Sequence, residues 1–296
     1  MCKICKGDYN VKQIECCANV KEIPYMPNLI KLITNDDITE IPYLPNLKYL
    51  SCSYSKVKKI VHLPKLRNLL CSETYIEELP ELLELRYLDC SDTKIKELPN
   101  MPNITDLYCY STLISELPEF PKLKKLECYR TKIKRIPYLP KLNALWCDNN
   151  FDLEHISVLP ELRSLHMQYT GIKELPIFPK LKNLVCAGSK ILYIPNMPSL
   201  EAVGCSYTNI MVLPKLPKLI YLNCSKTLVT KLPDLSELPD CIIDAENCKW
   251  LNPNNKVIKK VINCQTTIRK KNKDRIKIIC DNSYITPDLK YLLSEY

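Results

Sequence analysis

Glycine is nearly missing from this chain: there are four in 296 residues, against twenty-three prolines. Flexible glycine-rich linkers are therefore excluded, and the sequence reads as one continuous body. Histidine is scarce too. His62, His155 and His166 are the only three, and none stands in a recognisable nucleophile or metal motif, so nothing marks an enzyme. No apolar run approaches the length of a membrane-spanning helix. The opening MCKICKGDYN lacks the apolar centre of a secretory leader, which makes export by that route an unexpected fate.

What is present is repetition. The stretch 120–137, FPKLKKLECYRTKIKRIP, returns in altered form about every nineteen residues. Its first apolar position falls at Leu29, Leu47, Leu66, Leu85, Ile104, Leu123, Leu142, Leu162, Leu181, Leu200 and Leu219. The steps are nineteen except for one of eighteen and one of twenty, a regularity that belongs to repeat arrays and not to single globular cores. Weaker coils are expected before them, at Val11, Ile14 and Cys16, and after them, near Ile242 and Ala245.

Each unit explains itself by alternation. Leu126 and Cys128 share one face of a short strand, while Lys125, Glu127 and Tyr129 take the other. Pro137 and Pro140 lack an N–H and fix φ, so the return segment is expected to be extended or polyproline-like and not helical.

This spacing, L-x-x-L-x-C followed by T-x-I-x-x-I-P, resembles the leucine-rich repeat, with Cys at its third apolar place and Ser or Thr where Asn usually stands. The short period and pairs such as Leu213-Pro214 and Leu216-Pro217 look most like the LPX subclass of bacterial effectors. The Lys/Asn/Ile-rich wording is also similar to leucine-rich-repeat proteins of amoeba-infecting giant viruses. The resemblance implies a curved solenoid with a parallel concave β-sheet, an extended convex side and a binding surface on the concave face. Ser55, Thr74, Thr93, Thr112, Thr131, Thr170, Ser189, Thr208 and Thr227 depart from the family Asn, and Asn150 is the one clear match. A hydroxyl satisfies fewer backbone groups than an amide, so a partial version of the usual hydrogen bonding is expected.

Seventeen cysteines would suggest disulfides in a small secreted protein, but nine of them repeat at one inward position, from Cys52 to Cys224. They read as a core ladder, and the odd total fits a reducing, cytoplasmic compartment, the host cytoplasm if the protein is viral. Cys2-x-x-Cys5 with Cys16-Cys17 offers the four sulfurs of a structural zinc. Cys16 already has a core place, however, and adjacent cysteines do not make a second C-x-x-C. Residues 1–10 are therefore read as a cap on the first coil, with no metal and no cofactor assigned.

The array spans 11–251 and presents its outward positions as one surface. Tyr108, Tyr110, Tyr129, Trp146 and His166 cluster there over four coils, among Asp89, Asp106, Glu127 and Asp148. Large aromatics with a polar handle favour interface centres, although they also simply favour exposed strands. The reading adopted is a partner-binding patch on a non-catalytic protein-interaction scaffold, facing a partner with apolar patches and a basic rim.

Beyond Trp250 and Leu251 the repeat stops, and 252–296 read as a basic capping segment. Asn252-Pro253-Asn254-Asn255 and Thr286-Pro287-Asp288 look like helix starts, which gives the expectation of a small helical C-terminal cap. Between 253 and 296, ten Lys/Arg face four Asp/Glu, a net of +6 out of the chain's +9. This run keeps one alternative open, nucleic-acid or acidic-surface binding by the tail; the resemblance to LPX effectors and viral repeat proteins implies another, noncovalent association with a ubiquitin ligase.

Overall fold

The computed structural model describes residues 2–230, 232, 241–245 and 248. The helical cap expected in 252–296, and the basic run within it, lie outside the described residues.

The apolar repeat becomes a stack of three-residue strands. Thirteen of them, from Gln13–Glu15 to Ile242–Asp244, pair in parallel in one sheet, each with the strand of the next coil. Both weak coils expected at the ends supply a strand to it. The register is uniform: Leu107 faces Leu126, which faces Leu145, which faces Leu165. Every central strand residue, from Ile14 to Ile243, is buried, and its neighbours mostly face solvent in part. A fully buried leucine contributes about 1.5–3 kcal/mol, so the stack is stabilised coil by coil and not by one central core.

Next to the leucines stand the cysteines. Cys52, Cys71, Cys90, Cys109, Cys128, Cys147, Cys186, Cys205 and Cys224 are all free thiols with no solvent exposure, and Met167 fills the same place in the coil that lacks one. Burial pushes these nine thiols above their ordinary range, so they remain protonated and inert.

After each buried cysteine the chain must turn sharply. The residue two places on has a left-handed backbone: Tyr54, Glu73, Asp92, Ser111, Arg130, Asn149, Tyr169, Tyr207 and Lys226 have φ between 52° and 63°, and Gly188 joins them at 65°. Only Gly, Asn and Asp adopt this region readily. The others are held by the array, since Arg130 donates its N–H to the Asp148 carbonyl of the next coil at 3.1 Å and its equivalents from Tyr54 to Tyr207 do likewise.

The Ser/Thr positions then close each turn. Thr112 donates its hydroxyl to the Cys109 carbonyl and Thr208 to that of Cys205, each at 2.7 Å, one bond to the residue three places back. Asn150 does more. Its amide donates to the Cys128 and Cys147 carbonyls at 2.9 and 3.1 Å, and its Oδ1 accepts the Thr131 N–H at 2.6 Å. Asn35 has the same kind of role in the eighteen-residue coil, donating to the carbonyls of Cys17 and Val20 at 2.7 and 2.9 Å.

The return side follows from proline. In Leu139-Pro140-Lys141-Leu142 the Leu142 N–H donates to the Leu139 carbonyl at 3.2 Å, a β-turn with proline at its preferred second position. This turn recurs from Met26–Leu29 to Leu216–Leu219. Among the described residues the only helical element is a 3-10 turn at Ile4–Lys6. Arg135–Ile136 and His155–Ile156 form a small parallel pair on the return side, beside the coil that carries one extra residue. That insertion lies between Asn150 and Leu153, and its backbone leans on Gly171. A Cβ there would stand 2.6 Å from the Phe151 carbonyl oxygen, which accounts for glycine at this position.

Candidate functional site

Parallel register turns the outward residues of the middle coils into three columns. The first holds Tyr87, Asp106, Lys125 and Ala144; the second holds Asp89, Tyr108, Glu127, Trp146 and His166. The third follows the cysteines and holds Ser91, Tyr110, Tyr129 and Asp148.

The tyrosines are arranged in pairs and not scattered. The rings of Tyr110 and Tyr129 stack with centroids 4.3 Å apart at 6°, and those of Tyr87 and Tyr108 meet at 5.2 Å and 37°. Such pairs are worth about 0.5–1.5 kcal/mol beyond the area they bury. All four remain partly exposed, and burial pushes the pKa of the Tyr87, Tyr110 and Tyr129 phenols up, keeping them neutral. Elsewhere Tyr25, Tyr43, Tyr54 and Tyr138 stand well exposed and outside these pairs.

Lys125, which the residue pattern alone does not assign to the patch, ties the columns together. Its Nζ donates to the Tyr108 hydroxyl at 2.9 Å, lies 3.0 Å from Glu127 Oε1, and sits 4.7 and 4.9 Å from the ring centres of Tyr108 and Trp146. Burial works against its charge, but the Tyr108 hydroxyl and Glu127 outweigh that, and the net shift is upward. Asp106 accepts the Thr105 hydroxyl at 2.6 Å, and Asp89 accepts the Ser91 N–H at 3.2 Å. Both carboxylates stay partly open to solvent.

The sequence reading placed Trp146, His166 and Asp148 on the exposed patch with the tyrosines; their side chains are instead buried. Trp146 is 9% exposed and His166 2%, with ring centres 5.6 Å apart and the Lys125 ammonium over the indole. Asp148 accepts the Gln168 N–H at 2.7 Å and serves the backbone. Alternation correctly gives the side of the sheet, but large neighbours one coil apart cover one another. Burial holds the His166 imidazole down to about 4, so it is neutral near pH 7. Its Nδ1 and the Trp146 Nε1 have no hydrogen-bond partner in the structure.

A line of basic residues also emerges just before the strands, at Lys48, Arg67, Arg86, Lys124, Arg163 and Lys182. Near the first coils Lys48 and Arg67 join Lys12 and Lys65 around an open cavity that also includes Glu84. Lys48, Arg67, Arg86, Lys124, Arg163 and Lys182 each stand one place after the first leucine of their coil, a column visible only once the repeats are aligned. The site face thus carries carboxylates at its centre and cations along one border.

No protein-family model and no curated protein matches the chain. Solved structures do. YopM from Yersinia enterocolitica WA-314 is 22% identical, with a TM-score of 0.55 over 77% of this chain and 62% of that one. The functional domain of InlJ from Listeria monocytogenes, described as including a cysteine ladder, is 20% identical with a TM-score of 0.55, over 83% of this chain and 63% of that one. The internalin InlF from Listeria monocytogenes is 16% identical with a TM-score of 0.56, over 79% and 86%. The chain therefore spans a little under two thirds of the first two structures and has the leucine-rich-repeat fold. Among the described residues no helix is long and apolar enough to cross a membrane.

Proposed function

We propose that the chain is a non-catalytic protein-interaction scaffold whose partner docks on the solvent-facing side of the sheet, around Tyr108, Tyr110 and Tyr129. The observation that carries this reading is the pre-stacked Tyr110–Tyr129 pair beside the Lys125–Tyr108–Glu127 cluster. Side chains already held by one another lose little further freedom on binding, so their area converts more fully into affinity. Repeat arrays use such continuous surfaces for recognition. Tyr87, Asp89 and Asp106 extend the surface on one side. Trp146 belongs to it as the packed floor under Lys125, with His166 against the indole, while Asp148 ties the backbone beside them. The partner should bring apolar groups to the tyrosines, donors to Asp89 and Asp106, and acidic groups toward the basic border.

The test is affinity capture with the full chain against a variant carrying Tyr110→Ala and Tyr129→Ala, at low and at high salt, with circular dichroism confirming that both are folded. A protein captured by the parent at both salts and lost by the variant supports the reading. Capture of the same proteins by both, or capture of nucleic acid alone that vanishes at high salt, overturns it.

A further inference from the structure

The three sulfurs of Cys2, Cys5 and Cys17 converge on one point at the N-terminal end of the array, and we propose that they bind a zinc ion. Their Sγ atoms lie 3.8, 3.5 and 3.5 Å apart. Zinc–thiolate bonds of about 2.3 Å in tetrahedral geometry set neighbouring sulfurs about 3.8 Å apart, so three corners of that tetrahedron are nearly in place. The spacing is also well beyond a disulfide bond of about 2.05 Å.

Hydrophobic collapse does not account for the cluster. Cys5 is exposed and Cys2 and Cys17 are only partly covered, in contrast to the wholly buried ladder cysteines. The local backbone brings them together instead. The 3-10 turn Ile4–Lys6 places Cys2 and Cys5 on one side, and Gly7, at φ 73°, reverses the chain while its N–H closes on the Ile4 carbonyl at 2.9 Å. Cys17 arrives from the end of the first strand. Because Cys16 points into the core, its neighbour must point away from it, toward the turn. That alternation explains why three of the four N-terminal cysteines form the site and Cys16 does not.

Three protein sulfurs leave the fourth tetrahedral corner to water. A bound ion would staple residues 2–7 to the first coil, whose strand Gln13–Glu15 is the unpaired edge of the sheet. The staple makes capping of that edge dependent on metal, independently of any partner on the sheet face.

The experiment uses the full chain, reduced and stripped with a chelator, then loaded with zinc and desalted, with cobalt as an optical probe of thiolate ligation. Expected are one zinc per chain, a sulfur-to-cobalt charge-transfer band, and slower hydrogen exchange over 2–17 on zinc loading. The Cys2→Ser, Cys17→Ser double variant should lose all three, while Cys241→Ser keeps them. If the double variant does not fold, Cys5→Ser, which alters an exposed ligand only, gives the same reading. Less than stoichiometric zinc in the parent, or equal zinc in parent and Cys5→Ser, overturns the proposal.

Discussion

At the residue scale, the costliest local choice in this chain is the left-handed turn residue. A side chain in that region costs roughly 1–2 kcal/mol, yet Arg130, Tyr54 and Lys226 all occupy it. Nothing in their chemistry signals it, and only the Asn149, Asp92 and Gly188 equivalents are of expected type. The conformation is imposed by the ladder of bonds to the next coil, so it was not legible residue by residue. Replacing Arg130 with Val should lower stability by about 1–2 kcal/mol, because a β-branched side chain tolerates positive φ least, while Arg130→Gly should be neutral or stabilising. Urea midpoints decide between them.

His166 gives a prediction in pH. Its folded value of about 4 lies below the ordinary 6.5, so the unfolded chain takes up a proton first. The stability it permits is therefore complete above about 6.5 and falls as the pH drops toward 4, by up to about 3 kcal/mol. Asp37, held down to about 2 by hydrogen bonds from Lys21 and Lys56, acts in a lower window and does not confuse the measurement. Melting curves of the parent between pH 7 and 4 should fall more steeply than those of His166→Gln; equal slopes would show that the imidazole is not buried neutral.

At the scale of the element, a coil is legible wherever its period is intact. Leu126 and Cys128 were placed inward by alternation alone, and both have no solvent exposure. Two coils break the period, and there the sequence was less informative. In the eighteen-residue coil the amide role passes to Asn35, two places from where the alignment seeks it, and no local signal marks it. In the twenty-residue coil the insertion was legible but its contact was not, since nothing local says that Phe151 will lie against Gly171. Gly171→Ala should force the loop 151–153 away and cost on the order of 1–3 kcal/mol, with exchange rates rising over that loop. Unchanged stability would mean that the loop does not rest there.

At the scale of the whole molecule, repetition made the fold readable and the candidate site only partly so. A nineteen-residue period specifies a parallel stack, because each coil can bury its apolar edge only against the next. It also says which residues face solvent together, and so groups Tyr108, Tyr110 and Tyr129. Lateral packing lies beyond the period. Whether Trp146 stays open or sinks between Lys125 and His166 depends on the sizes of neighbours nineteen or twenty residues away, and on the reach of a lysine side chain across a strand. The same packing gives the tyrosine face a rigid support, and this joins fold to proposed function.

The most direct measurement places a photo-crosslinking residue at Tyr110, on the stacked pair, or at Ile177, exposed on the return side, and compares the adducts each forms with the captured partner. The expected result is a specific adduct from position 110 and none from position 177. An adduct from position 177 alone, or equal adducts from both, would contradict a partner seated on the tyrosine face of the sheet.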